Sequence, residues 1–508
     1  MRSRIRSSSS RSGGGDDDDV ETAAAAASAS ADGQEDEEGR RNDDEGRDED
    51  DVVEGDGDDA VTPVSEPLHV SVDYDERGGT GGSSGSRYYG YEDTCRLAVR
   101  MGVAAVRYGT TAGGVERFMS SLMSEFGYRG CVFRVTLREI FCSFRRGDPE
   151  DIVANDDGAY AQIVTCKDGI DLHRLGLLSE LATAVKKQSL TPREASEKLD
   201  EIGREPGPYP VALLAASFVA AGASLAVVFQ GCWYDVCLGS VCGGLAFGVM
   251  SWFESLPREE ARQWMPLAAS FLSSSIAAAA AKSVETKINV TLVTISGVAV
   301  FIPGYSVSLG TSELVSGHLM SGFARLFQGT VTMMWLLTGS WLGRRMVDAV
   351  VLLDDDADDP AATIQPDPVS KGWYALFVPL LFLCVCVVLG NSHRDVPWAF
   401  LCMVTAYGTS LVASLFMEQN VGTFLSSVAM TVFSNVWGNR MDRPNTLVLV
   451  PAFLIKVTGS IGFLGLTKII EGETSVGLDQ FLQMFLTALL IIAGVLAGNT
   501  FVPCKIGL

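Results

Sequence analysis

The chain has 508 residues, with 62 acidic against 39 basic side chains and a formal net charge of −23. That sign disfavours nucleic acid as a partner, because phosphate backbones are held by lysine and arginine. Mean hydropathy is +0.21 although 20% of residues are charged, so polar and apolar stretches are segregated along the chain rather than mixed as in one soluble globule.

Residues 1–91 form the polar part. Positions 16–59 hold 21 acids against Arg40, Arg41 and Arg47, which accounts for most of the net charge. Runs such as DDDD and DDEGRDEDD bury too little apolar surface to offset the entropy of ordering, so a disordered acidic tail is expected. A solvated spacer and an interaction tail both fit it. The basic start MRSRIRSSSS lacks the apolar stretch of a secretory signal.

Residues 92–210 read as a small cytosolic α+β domain. Helices are expected at 93–108 and 114–126, where Val115, Phe118, Met119, Leu122 and Phe126 fall at helical spacing. Alternating β-branched and aromatic residues at 131–144 predict two strands or a hairpin, and 161–167 a further strand. Asp171 caps a helix running to 188. Thr191, Pro192 and Glu194 form a capping box that opens another helix, and GREPGPYP ends it. Glu116, Asp171, His173 and Arg174 are the candidate reactive residues here. A hydrolytic role is one reading, and a helix cap with exposed neighbours is the other. No GxSxG, P-loop or HExxH motif occurs. Eleven cysteines and four histidines show no zinc spacing, so neither metal nor cofactor is expected.

From 211 onward the chain is mostly apolar. A bilayer core of about 30 Å needs roughly 20 apolar residues per helix. Spans are predicted at about 211–230, 234–253, 264–281, 288–309, 322–343, 373–390, 397–416, 420–437, 446–466 and 478–499. They form two five-helix halves, 211–343 and 373–499, joined by an acidic loop at 344–372 and followed by a short tail at 500–508. The expected fold is therefore a mostly α-helical, ten-span polytopic membrane protein. Glycine, alanine, serine and threonine are frequent in the spans and allow close helix approach, which leaves a homodimer open.

Residues 291–343 repeat at 446–498 without a gap, with twelve identities in 53 positions, six of them glycine. An odd number of spans per half turns the second half upside down, which makes this an inverted-topology repeat. Charge hardly orients it. Arg258, Arg262, Arg325, Arg394, Arg440, Arg443 and Lys505 fall in the inner loops, and Lys282, Lys287, Arg344, Arg345, Lys371 and Lys468 in the outer ones. The reduced-looking α+β domain places both termini in the cytosol.

FIPGYS at 301–306 interrupts one span, and KVTGS at 456–460 interrupts its repeat partner. Proline removes a donor and glycine loosens the turn, so backbone polar groups at depth become available to a ligand. A simple kink satisfied by neighbouring helices is the alternative. Paired breaks make Pro303, Gly304, Ser306, Thr458, Gly459 and Ser460 the candidate binding residues. Ionisable groups near the spans are few: Asp235, Glu285, Lys287, Glu313, Glu418 and Lys456. Charge at bilayer depth is costly, so Asp235, Glu313 and Lys456 are the candidate ion-coupling or substrate-binding groups. Asn289 and Asn435 could bind substrate or another helix.

AGGVERFMSSLMSEFG, GIDLHRLGLLSELATAV, LTPREASEKLDEIGREPGPYP, FQGCWYDVCLGSVCGG and IPGYSVSLGTSELVSGHLMSGFARL resemble the threonine/serine exporter family in order and spacing. The acidic tail is similar to that of eukaryotic members, including the fungal pheromone-regulated membrane proteins. The resemblance covers about 95–499. It implies a cytosolic domain, ten spans and proton-coupled export of threonine- or serine-like amino acids through a plasma, vacuolar or other organelle membrane. Thr458-Gly459, preceded by Lys456, departs from the proline-glycine pair common in the family's second half, so substrate or coupling ion could differ. Two other readings stand beside transport: a membrane sensor or scaffold using the acidic tail, and a hydrolase in the 92–210 region.

Overall fold

The computed structural model describes residues 90–128, 130–144, 160–283, 288–351, 367–456 and 459–504. The acidic tail, Glu285, Lys287, Thr458, Lys505 and most of the acidic loop lie outside these residues. All described residues fall within one compact unit, Ser84–Leu508.

The first elements are α1 (Tyr91–Arg107), α2 (Ala112–Glu125), β1 (Val132–Val135), β2 (Glu139–Phe144), β3 (Tyr160–Thr165), α3 (Leu172–Lys186) and α4 (Pro192–Arg204). The strands form an antiparallel sheet in the order β1-β2-β3, with Phe133 opposite Cys142 and Ile140 opposite Val164. Alternation sets its faces: Phe133, Val135, Ile140, Cys142 and Phe144 are buried, whereas Val132 and Phe141 are exposed. Leu97 and Met101 of α1 share a core with Val115, Phe118 and Leu122 of α2. Each such side chain, fully buried, contributes roughly 1.5–3 kcal/mol. The Thr191–Glu194 capping box is present in full at the start of α4.

The apolar part contains α5 (Val211–Val228), α6 (Trp233–Ser255), the short α7 (Glu259–Arg262), α8 (Met265–Ser283), α9 (Val290–Val298), α10 (Gly304–Val315), α11 (Leu319–Val351), α12 (Tyr374–Val388), α13 (Val396–Ser414), α14 (Gln419–Met441), α15 (Thr446–Lys456), α16 (Gly459–Ile470) and α17 (Thr474–Phe501). Among the described residues seven helical stretches are long and apolar enough to cross a membrane, or eight if the bent pair α9/α10 counts as one. α11 and α14 fall outside that set by composition, although their 33 and 23 residues correspond to about 50 and 34 Å of helix.

The helices are inside out relative to a water-soluble bundle. Ser270, Ser273, Ser274, Ser426, Ser427, Thr431 and Ser434 are buried, while Leu376, Leu383, Val404, Leu411, Leu482 and Leu489 are exposed. Small hydroxyl residues inside and large apolar residues outside suit a lipid solvent, which cannot drive leucine inward. Many of the buried hydroxyls are satisfied within their own helix, as where Thr431 donates to the Ser427 carbonyl at 2.8 Å.

Helix contacts recur at an offset of 155. A Cβ on Gly310 would lie 2.9 Å from the Gly322 carbonyl oxygen, and one on Gly465 would lie 2.7 Å from that of Gly477. Gly317 and Gly472, also 155 apart, both end their helices at positive φ, +87° and +95°, a conformation that glycine adopts without steric cost.

The α+β elements sit directly on the helices. Leu172 N–H donates to the Leu389 carbonyl at 3.1 Å, and one apolar cluster runs from Leu97 through Leu178 to Phe382 and Leu447. The contacts fall on the turn between α10 and α11, the loop between α12 and α13, and the loop leading into α15.

Candidate transport site at two broken helices

The first of the two sequence-predicted breaks forms, and the second falls on residues 457–458, outside the described residues. α9 gives way to a single 3-10 turn, Ala299–Phe301, and α10 starts at Gly304 after a bend of 56°. Pro303, at φ −79° and ψ 38°, precedes the new helix, and its carbonyl accepts the Val307 N–H at 3.0 Å. Proline cannot supply the donor that a continuous helix would need, so the break is local chemistry. In the second half α15 ends at Lys456 and α16 begins at Gly459.

The first break touches its repeat partner at Gly459. A Cβ on Gly459 would lie 2.8 Å from the Gly304 Cα and 3.0 Å from its nitrogen. Only glycine permits this approach of backbone to backbone. Around the contact, Tyr305 and Phe453 meet edge to face with ring centres 6.3 Å apart, and Ser306 and Ser460 are half-buried in the first turns of α10 and α16. The half-buried Lys456 ammonium donates to the hydroxyl of Ser426, which is fully buried on α14. The C-terminus of α9 and the N-terminus of α10 thus meet, opposite dipole ends together, against the start of α16.

Asp235 lies at the start of α9 and Glu313 near the end of α10. Asp235 is 4% exposed. Its carboxylate accepts the Cys232 N–H at 2.9 Å and the Asn289 N–H at 3.2 Å, so it caps α6 and ties that cap to the start of α9. Asn289 caps α9 through the Leu292 N–H, 3.1 Å. Asn435 donates to Asn499 and to the Val502 carbonyl, both at 2.7 Å; both asparagines join helices.

Glu313 closes α10 beneath the α+β elements and is 2% exposed. It accepts from the Ala112 N–H at 3.1 Å, the Ser321 hydroxyl at 2.6 Å and Arg325 Nε at 3.1 Å. Arg325 Nη1 continues to Asp168 at 2.8 Å. One guanidinium therefore bridges a carboxylate of the broken helix and one of the α+β part. Counting Arg325 with the inner-loop charges is corrected here: it lies within α11, 6% exposed, because two carboxylates and close packing hold it there. Burial raises the Asp168 pKa above its ordinary 3.8, Arg325 lowers it by attraction and a hydrogen bond, and Glu313 raises it by repulsion.

The four α+β candidates do not converge on a reaction centre. Asp171 caps α3 by accepting the Arg174 N–H at 3.0 Å, and Arg174 Nη2 donates to the Glu205 carbonyl at 2.7 Å. His173 Nε2 faces Glu205 at 3.6 Å. Glu116 accepts the Val135 N–H at 2.9 Å, meets Arg134 at 3.3 Å and lies 3.7 Å from His318 in the α10–α11 turn. Among the described residues no cluster of three His, Cys, Asp or Glu could hold a metal ion.

Sequence reasoning missed Asp168, Ser321, Tyr305 and Ser426. Asp168 and Arg325 are 157 positions apart, so only the fold pairs them. Ser426 is one of many buried serines and carried no local signal.

Two family models match. A threonine/serine exporter model covers residues 96–347, and one described as Threonine/Serine exporter, ThrE, covers 374–501. An uncharacterised protein of Schizosaccharomyces pombe is 24% identical over 322 residues, 62% of this chain and 42% of its own length. Pheromone-regulated membrane protein 10 of Candida albicans is 25% identical over 325 residues, covering 59% of this chain and 27% of the relative. The Yarrowia lipolytica protein of that name is 26% identical over 289 residues, with 56% and 23% covered. The chain thus spans less than half the length of these relatives. No solved structure matches. With apolar multi-helix architecture and family models across both halves, the chain is a multi-pass membrane protein and belongs to the threonine/serine exporter family of transporters.

Proposed function

We propose that the chain is a secondary active transporter that moves small polar amino acids of the threonine and serine kind out of the cytosol by alternating access, coupled to protons. The observation that carries this reading is the contact of Gly304, at the broken helix, with Gly459, its repeat partner. A helix broken at that point offers backbone polar groups and dipole ends of both signs at bilayer depth, which suits a zwitterion. The amino acid carboxylate would lie toward the α10 and α16 N-termini and Lys456, with Pro303, Ser306 and Ser460 around it. The ammonium would lie toward the carbonyl ends of α9 and α15.

In this reading α11 and α14 also cross the bilayer, making ten spans in two inverted halves of five. The recurrence of the glycine contacts at an offset of 155 supports it. The α+β domain covers one end of the bundle, and counting spans from there puts residues 90 and 504 on the same, cytosolic, side. The Glu313–Arg325–Asp168 network, rather than the capping carboxylate Asp235, is the better candidate for proton coupling.

Binding tests it. A ligand that binds only the native state raises apparent stability by RT ln(1 + [L]/Kd). Threonine and serine should raise the unfolding temperature of detergent-purified protein, whereas norleucine, lacking the hydroxyl, should raise it less. Equal response to all three, or none to any, would contradict the proposal.

A further inference from the structure

We infer that Asp168 and Arg325 form a proton-dependent latch that docks the α+β domain onto the inner end of α11, with Asp168 as the group that takes the proton. The inference deepens the transport reading and rests on it for its consequence, an inner gate.

The geometry supplies two carboxylates and one cation. Arg325 Nε donates to Glu313 and its Nη1 to Asp168, so the guanidinium can balance only one negative charge. The two acids are unequally served. Glu313 also receives the Ser321 hydroxyl and the Ala112 N–H, whereas Asp168 receives Arg325 and the neighbouring Gly169 N–H. They also differ in access to water: the Asp168 side chain is 33% exposed and that of Glu313 2%. A proton arriving from the cytosol therefore reaches Asp168 and leaves the triad neutral.

The groups facing the triad come from several elements. α11 contributes Arg325 and Ser321, α10 contributes Glu313 and Tyr305, and the segment after β3 contributes Cys166; Glu139 of β2 stands beyond it. Among the groups named here Arg325 is the one cation. The Asp168–Arg325 bond is also a direct tie between the α+β domain and α11, beside the Ala112 link to Glu313.

The sign follows from linkage. Burial raises the Asp168 pKa while the domain is docked, and release returns the carboxyl to water and an ordinary value. The state with the higher pKa gains from the proton, so low pH favours docking. Rising pH, through the raised value, favours release.

Spin labels on introduced p-acetylphenylalanine at Ser120 of α2 and Met320 of α11, both exposed, avoid the native cysteines. The expected result for the full chain is one short distance population at about pH 5 and a longer one that grows toward about pH 8. Asp168→Asn should stay short throughout. Glu313→Gln, which leaves Arg325 wholly to Asp168, should move the transition to lower pH. A wild-type distribution that does not change with pH, or an Asp168→Asn protein that changes as wild type does, would overturn the latch. A pH-dependent distance without amino acid flux would uphold the latch and sink the transport reading alone.

Discussion

Gly459 stands backbone to backbone against Gly304: a Cβ on it would come within 2.8 Å of the Gly304 Cα. The two residues are 155 positions apart, the same offset that relates the repeated segments. Repeat-related glycines thus meet each other rather than lying in separate parts of the bundle.

Gly459→Ala tests that contact. The added methyl meets backbone, which cannot move aside without shifting a helix, so a cost of about 1–3 kcal/mol is expected from overpacking. Gly408→Ala on α13 is the control. Nothing lies within 4 Å of a Cβ there, and helix propensity should make it neutral or slightly stabilising, by up to about 1 kcal/mol. Thermal unfolding of both in detergent should separate them; equal unfolding temperatures would contradict the close approach.

Lys456→Met retains most of the apolar stem and removes the charge. If the ammonium pairs with the substrate carboxylate, threonine affinity should fall tenfold or more, about 1.4 kcal/mol. Folding should be unharmed, because Lys456 donates to the neutral Ser426 hydroxyl and an unpaired charge at depth is itself costly. Calorimetric titration with threonine checks it, and unchanged affinity would remove Lys456 from the site.

Asp235→Asn should behave as a cap mutation. The carboxylate serves the Cys232 and Asn289 N–H groups with different oxygens, and an amide offers only one acceptor. One buried donor is left unsatisfied, at about 1–3 kcal/mol. The pH profile of flux should keep its midpoint while the unfolding temperature drops. A shifted midpoint would make Asp235 a proton carrier.

The thiols of the α+β part give an independent check of its core. Burial pushes Cys142 up to about 12 and Cys166 to about 11, and the thiolate is the reactive form. Iodoacetamide near neutral pH should leave both unmodified in native protein and label both after denaturation, as read by peptide mass spectrometry. Fast native labelling of Cys142 would contradict the buried face of β2.

Local features were legible in the sequence because local chemistry decides them. Thr191, Pro192 and Glu194 announce a helix start, Asp171 a cap, and Pro303-Gly304 a break, and each appears where expected. Glu313 was visible as an acid at depth. Its role was not, since Arg325 and Asp168 reach it only through tertiary contact, and a span boundary placed beside Arg325 made it pass for a loop charge. Asp235 shows the converse. A buried carboxylate looks functional from sequence, yet two backbone donors account for its burial. The inside-out placement of Ser426 and Ser434 was implied by small-residue spans, but which serine meets Lys456 depended on how α15 packs on α14.

The central claim, transport at the Gly304–Gly459 contact, is tested most directly by flux. Purified full-length protein in liposomes, loaded with labelled threonine or serine and given an inward proton gradient, should release the amino acid faster than protein-free vesicles. Gly459→Ala should abolish most of that release. Folded wild-type protein that moves neither amino acid, under gradients of either sign, would contradict the account.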